Sequence, residues 1–90
     1  MVINIRRCLS ITIIDIRSKY KYDLGHIKDS INIDEYNLLF NYNKYLNKNE
    51  KYIIYCDNGN RSKIVVNKLK RLGYNVENLD GGYNNYLLQK

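Results

Sequence analysis

The stretch YCDNGNRSK, residues 55–63, sets a cysteine directly after an apolar run and follows it with Gly59, Arg61 and Ser62. Such a thiol sits where a strand would end and a loop would turn into a helix beginning near Arg61. Backbone N–H groups at a helix start and in a tight loop converge on one spot and favour negative charge there. Gly59 permits the backbone angles that such a loop needs, and Asn58 and Asn60 tolerate them better than most residues. A free cysteine pKa of about 8.5 falls to roughly 3.5–7.5 near helix N-termini or cations, so Cys56 is expected to be a reactive thiolate. Arg61 adds a fixed positive charge and a planar fork suited to a tetrahedral oxyanion. Asp57 would repel an anion, so its side chain is expected to point outward. Taken alone, Cys56 reads as a small apolar residue finishing a buried strand. The combination of strand end, glycine loop, arginine and helix start favours a functional nucleophile. Asp57, Asn58, Gly59, Asn60, Arg61 and Ser62 are then the candidate substrate-binding loop.

The elements around this loop alternate between strand and helix. Val2 to Ile5, Ile11 to Ile14 and KYIIY from Lys51 to Tyr55 are short, rich in β-branched residues and bounded by polar ones, as buried strands are. Leu38, Leu39, Tyr42, Tyr45 and Leu46 repeat at helical spacing, with Asp34 placed as an N-cap. From Arg61 onward Val65, Val66, Leu69 and Leu72 share one helix face, which Gly73 is placed to end. A weaker strand is expected over Val76 to Leu79, followed by a DGG turn and a short closing helix in YNNYLLQ. This alternation implies a mostly parallel sheet covered on both faces by helices, with ligands at the carboxyl ends of its strands.

Ninety residues, 44% of them hydrophobic and 27% charged, fit one soluble domain, residues 1–90, with a modest core. No apolar run approaches the roughly 18 residues of a membrane span, and charges interrupt the first apolar stretch, so neither a span nor a signal peptide is expected. Cys8 and Cys56 are far apart, with no CxxC pair, which argues against a disulfide framework or a zinc site and for a reducing, cytoplasmic setting. Cys8 lacks a comparable loop and reads as structural or incidental. The net charge of +6 suits an anionic partner. Lys, Asn, Ile and Tyr all come from AT-rich codons, however, and no motif of interleaved basic and aromatic residues accompanies the charge. A solvated lysine surface is therefore favoured over a nucleic-acid patch, and no nucleic-acid or membrane partner is expected.

Three blocks of the chain, in order, resemble the rhodanese family. IDIRSKYKYDLGHIKDSINI, residues 14–33, resembles its Asp-Val-Arg start, Gly-His-Ile and the following strand. YCDNGNRS resembles its Cys-x-x-Gly-x-Arg-Ser loop, with Cys56, Gly59, Arg61 and Ser62 in register. LGYNVENLDGGYNNY resembles its closing strand and Gly-Gly turn, with Tyr86 where the family usually carries Trp. One departure is the short RRCLS between Ile5 and Ile11, where the family usually inserts a helix.

The resemblance implies an α/β fold, a parallel sheet of about five strands with helices on both faces, and a sulfurtransferase cycle run by Cys56. The thiolate would take the outer sulfur of thiosulfate or a related sulfane donor and pass it from a persulfide to cyanide, a small thiol or a protein acceptor. No metal or organic cofactor is implied. Asp15, Arg17 and His26 match the family's Asp-x-Arg and Gly-His. They read as structural support, a buried ion pair and a hydrogen-bonded histidine, rather than as catalytic groups.

Phosphatases and arsenate reductases of the same fold need a longer Cys-x5-Arg loop, whereas Cys56 to Arg61 is Cys-x4-Arg, which disfavours them. Two other classes stay open: a persulfide carrier or partner-docking module, and a redox sensor pairing Cys56 with Cys8.

Overall fold

The computed structural model describes residues 11–89. The strand expected over Val2–Ile5 and the cysteine at position 8 lie outside them. Within the described residues, β1 (Ile11–Asp15), β2 (Ile31–Asn32), β3 (Lys51–Tyr55) and β4 (Asn75–Asn78) form one sheet in the order β2-β1-β3-β4. Every pairing is parallel: Ile14 sits opposite Ile31 and Ile54, and Ile54 opposite Asn78. Parallel neighbours need crossover connections, and the helices α1 (Lys19–Leu24), α2 (Glu35–Phe40), α3 (Tyr42–Tyr45), α4 (Asn60–Arg71) and α5 (Gly82–Leu88) lie between and after the strands.

Side chains alternate across a strand, so each face of the sheet draws on every second residue. Ile14, Ile16, Tyr52, Ile54, Cys56 and Val76 supply one face and cluster with Leu38, Leu46, Val65, Val66 and Leu69 from the helical side. Asp15 and Tyr55 point to the other face, where the Tyr55 ring stacks with Tyr83 of α5 at 6.2 Å. The Tyr55 hydroxyl receives the Ile27 N–H at 3.0 Å and lies 3.1 Å from Ser30 Oγ, tying β3 to the turn before β2. Burial of this phenol pushes its pKa up to about 12.

Local signals explain most boundaries. Gly59 stands just before α4 with φ 90°, and the helix ends at Gly73, φ 97°, where Tyr74 N–H donates to Leu69 O and Gly73 N–H to Lys70 O. That is the glycine-terminated closure of helix ends. The strand expected over 76–79 runs over Asn75–Asn78 instead. The helix expected through Leu38 and Leu46 is broken at Asn41, whose ψ of 30° and φ of −127° leave helical space. Its side-chain amide is engaged by Asn37 Oδ1 at 2.8 Å, a competition with helix that asparagine commonly offers. The break lets Leu38 and Leu46 both reach the core. Helix α1 was not anticipated, although Ser18 caps its start by accepting the Lys21 N–H at 3.3 Å and Gly25 closes its end.

The turn at Gly81 and Gly82, with φ 81° and 58°, abuts the backbone of the Cys56 loop. Tyr83 N–H donates to Cys56 O at 2.8 Å and Asn84 N–H to Asp57 O at 2.9 Å. A Cβ at Gly82 would collide with both of those carbonyl oxygens, and one at Gly59 would come within 2.9 Å of Gly81 N. Gly82→Ala is therefore expected to destabilise the protein by about 1–3 kcal/mol in urea denaturation, through the left-handed backbone and the lost approach.

Candidate active site

Cys56 follows β3 directly, and the residue is only 4% exposed. Gly59 N–H points at Sγ at 3.2 Å and Ser62 N–H at 3.4 Å, while Ser62 Oγ lies 3.4 Å away. Burial pushes the thiol up. The Ser62 hydroxyl and the backbone N–H groups of Ser62, Gly59 and Arg61 outweigh it and hold the Cys56 pKa below its ordinary value. The CDNGNRS loop, with its strand end, left-handed glycine and helix start, thus forms a cradle for a negatively charged sulfur.

Ser62 is fully buried and Gly59 is buried, so both act on the sulfur from beneath rather than as walls for a substrate. Asn78, at the end of β4, secures them. Its Oδ1 lies 2.5 Å from Ser62 Oγ, and its Nδ2 donates to Gly59 O at 3.2 Å and Asp80 Oδ1 at 3.0 Å. Nothing in the sequence marked Asn78, because the two residues of the sulfur cradle that it secures, Ser62 and Gly59, lie sixteen and nineteen residues away.

A half-open cavity of about 590 Å³ lies over the loop, within the size range of small-molecule sites. Cys56, Asp57, Asn58, Asn60 and Arg61 all line it. Asn58 Oδ1 receives the Asn60 N–H at 3.0 Å, which folds the loop tip over on itself.

The charges in the cavity differ from expectation in two respects. Asp57 does not point outward: Oδ2 takes Lys21 Nζ at 2.7 Å and Oδ1 lies 3.5 Å from Arg17 Nη1. The hydrogen bond from Lys21 holds its carboxyl below the usual carboxylate range. Arg61 does not aim a free fork at the sulfur: its side chain is 74% exposed, and Nε donates to Glu35 Oε1 at 2.7 Å. Glu35 and Lys21 escaped sequence reading. Glu35 lies in the first turn of α2, and Lys21 lies on α1, whose capping serine was the available signal.

Asp15 and Arg17 form the inner wall. Asp15 is fully buried and accepts Arg17 N–H at 2.8 Å, Nε at 3.0 Å and Nη2 at 2.8 Å, while Nη2 also donates to Gly25 O at 2.6 Å. The guanidinium lies over the Tyr83 ring at 4.3 Å. With Nε and Nη2 both held, the pair is a fixed strut rather than a movable charge. His26 is elsewhere: it is exposed, stacks on Tyr22 at 3.8 Å, and its Nδ1 lies 2.7 Å from Tyr22 O. It is not among the residues lining the cavity. Among the described residues no cluster of His, Cys, Asp and Glu is arranged to hold a metal ion, and no helix is long and apolar enough to cross a membrane.

Comparison with known proteins agrees with this geometry. Two curated relatives, each named tRNA uridine(34) hydroxylase, come from Aster yellows witches'-broom phytoplasma and Onion yellows phytoplasma. The first is 37% identical over 82 residues, 84% of this chain and 27% of that protein. The second is 36% identical over 80 residues, 82% of this chain and 26% of that protein. The chain thus spans about a quarter of the length of these relatives. Among solved structures, a rhodanese-related protein from Thermoplasma volcanium superposes with a TM-score of 0.81 at 32% identity, covering 98% of this chain and 84% of that one. A rhodanese-like domain protein from Staphylococcus aureus gives a TM-score of 0.72 at 34% identity, covering 81% of this chain and 71% of that one. The family model for the Rhodanese-like domain matches residues 2–89, and the chain belongs to that family.

Proposed function

We propose that the protein is a sulfurtransferase in which Cys56 carries sulfur as a persulfide. The observation that supports it most is the sulfur cradle itself: two backbone N–H groups aimed at Sγ within 3.4 Å, beneath a cavity of small-molecule size. A thiolate stabilised in this way needs no general base, consistent with the absence of His26 from the cavity lining. With thiosulfate, the thiolate attacks the outer sulfur, the S–S bond of the donor breaks, and sulfite leaves with the bonding pair. The product Cys56–S–S⁻ retains the thiolate's single negative charge, which the same N–H groups stabilise. A thiophilic acceptor, such as cyanide, a small thiol or a protein thiol, then attacks the terminal sulfur and returns Cys56 to the thiolate. The cycle as written uses no metal or organic cofactor, and a reducing cytoplasmic setting would keep the thiol available between turnovers.

A second reading follows from the two relatives named tRNA uridine(34) hydroxylase. In it, this chain is the rhodanese-like part of a tRNA-modifying system, and the net charge of +6 serves RNA binding. The matched stretch is only about a quarter of each protein so named, so the partition of their activity between this region and the rest decides how much of it carries over. Fluorescence anisotropy with labelled tRNA at low and physiological salt separates the readings. Salt-sensitive binding that is saturable at physiological salt supports the second, and its absence leaves sulfur transfer to small acceptors.

Two outcomes test the principal reading. After incubation with thiosulfate, intact mass should rise by one sulfur in the wild type and in Cys8→Ser but not in Cys56→Ser, and added cyanide should release thiocyanate over repeated turnovers. Loading without turnover would favour a carrier, and no loading from any sulfane donor would exclude sulfur transfer. The pH profile of Cys56 alkylation should have its midpoint below that of an unstructured thiol, because the depressed pKa keeps the reactive form present as pH falls. Ser62→Ala removes one of the groups that lower it and should move that midpoint upward.

A further inference from the structure

The cavity over Cys56 holds both signs of charge in paired form. Arg17 is anchored by Asp15, with a side chain only 6% exposed, and turns Nη1 toward Asp57 Oδ1 at 3.5 Å. Lys21 reaches Asp57 Oδ2 at 2.7 Å, and Arg61 is met by Glu35 at 2.7 Å. Every cation lining the cavity is therefore opposed by a carboxylate, among the described residues. The Asp57 carboxyl, held low by Lys21, stays ionised at neutral pH. With Cys56 ionised as well, an incoming donor meets a site with little positive charge to spare.

We infer that Asp57 is a specificity-determining residue whose carboxylate occupies the Lys21–Arg17 cation pair, turning the site away from dianionic sulfur donors and toward donors of low net charge. The inference rests on the sulfur-transfer reading above and adds to it the charge class of the preferred donor. A hydropersulfide, R–S–SH, is such a donor. Cys56–S⁻ attacks its terminal sulfur, the donor S–S bond breaks, and R–S⁻ leaves with the bonding pair while the proton remains on the new Cys56–S–SH. No external oxidant or reductant enters, and the sulfur and charge balance. Thiosulfate brings two negative charges into the cavity that Asp57 lines together with Cys56.

Coulomb's law makes the discrimination depend on donor charge. Removing one negative charge at a separation of about 6 Å in a water-like dielectric favours a dianion by roughly tenfold and a monoanion by about threefold, and leaves a neutral donor unchanged. Asp57 is 40% exposed on its side chain, so Asp57→Asn keeps the shape and should fold. Lys21→Met makes the opposite change, leaving Asp57 less neutralised.

The experiment is persulfide loading of Cys56 followed by intact mass and rate, with thiosulfate and with cysteine hydropersulfide as alternative donors, in the wild type, Asp57→Asn and Lys21→Met. Asp57→Asn is expected to raise the thiosulfate rate constant by about tenfold and that of the hydropersulfide by about threefold or less, with the gain in thiosulfate loading shrinking as salt is added. Lys21→Met should lower thiosulfate loading and spare the hydropersulfide. If both donors load but their ratio is the same in all three proteins, the assignment of Asp57 fails while sulfur transfer stands. If neither donor loads any of them, sulfur transfer and the assignment fail together.

Discussion

The loop that carries Cys56 is held in place by a backbone-to-backbone approach that only glycine permits. Gly82 lies against the carbonyl oxygens of Cys56 and Asp57, and Gly59 lies against Gly81. The N–H groups of Tyr83 and Asn84 satisfy those same two carbonyls. With its oxygens turned toward α5, the loop has its N–H groups free to converge on the other side, where Gly59 and Ser62 meet Sγ. One constraint thus sorts the loop's polar groups by sign: acceptors toward the glycine turn, donors toward the sulfur. Buried backbone groups must be paired somewhere, and here the pairing of one set determines the direction of the other. Asn78 adds the lateral tie, holding Gly59 and Ser62 from the end of β4.

The electrostatics of the site have two layers with different mobility. Beneath and beside the sulfur, the donors are backbone groups and a fully buried serine, fixed by the fold. The Asp15–Arg17 strut is equally fixed, with both partners nearly inaccessible and multiply bonded. The outer layer consists of partly exposed pairs, Lys21 with Asp57 and Arg61 with Glu35, whose energies are small and screened by salt. The inner layer sets the state of the thiol, and the outer layer sets the charge that a visiting molecule encounters. Changes in the outer layer can alter that charge while the sulfur cradle remains.

The core strands and the position of the thiol were legible in the sequence because both depend on local pattern. KYIIY reads as a strand from its β-branched and aromatic content, and a cysteine after it followed by Gly59 and a helical stripe can only sit at a strand-to-helix turn. The direction of Asp57 and Arg61 was not legible. Each is decided by a partner distant in sequence, Lys21 in one case and Glu35 in the other, and neither partner is marked by spacing. The expectation of a free Arg61 fork failed for that reason. The break at Asn41 was obscured because the apolar residues on both sides of it keep helical spacing, while the asparagine side chain redirects the backbone between them. Helix α1 was obscured by its own lack of a buried face, since none of its residues is buried and hydrophobic periodicity has nothing to report.

Sulfur chemistry at this site depends on Cys56 being a stabilised thiolate, and the most direct measurement is a titration of ultraviolet thiolate absorbance, taken as the difference between the wild type and Cys56→Ser so that Cys8 cancels. The structure predicts a single transition with its midpoint below the ordinary cysteine value, because the Ser62 hydroxyl and the loop N–H groups outweigh the burial that raises it. A midpoint at or above the ordinary value would mean that burial prevails, and the cradle would then be a packing feature around an inert thiol.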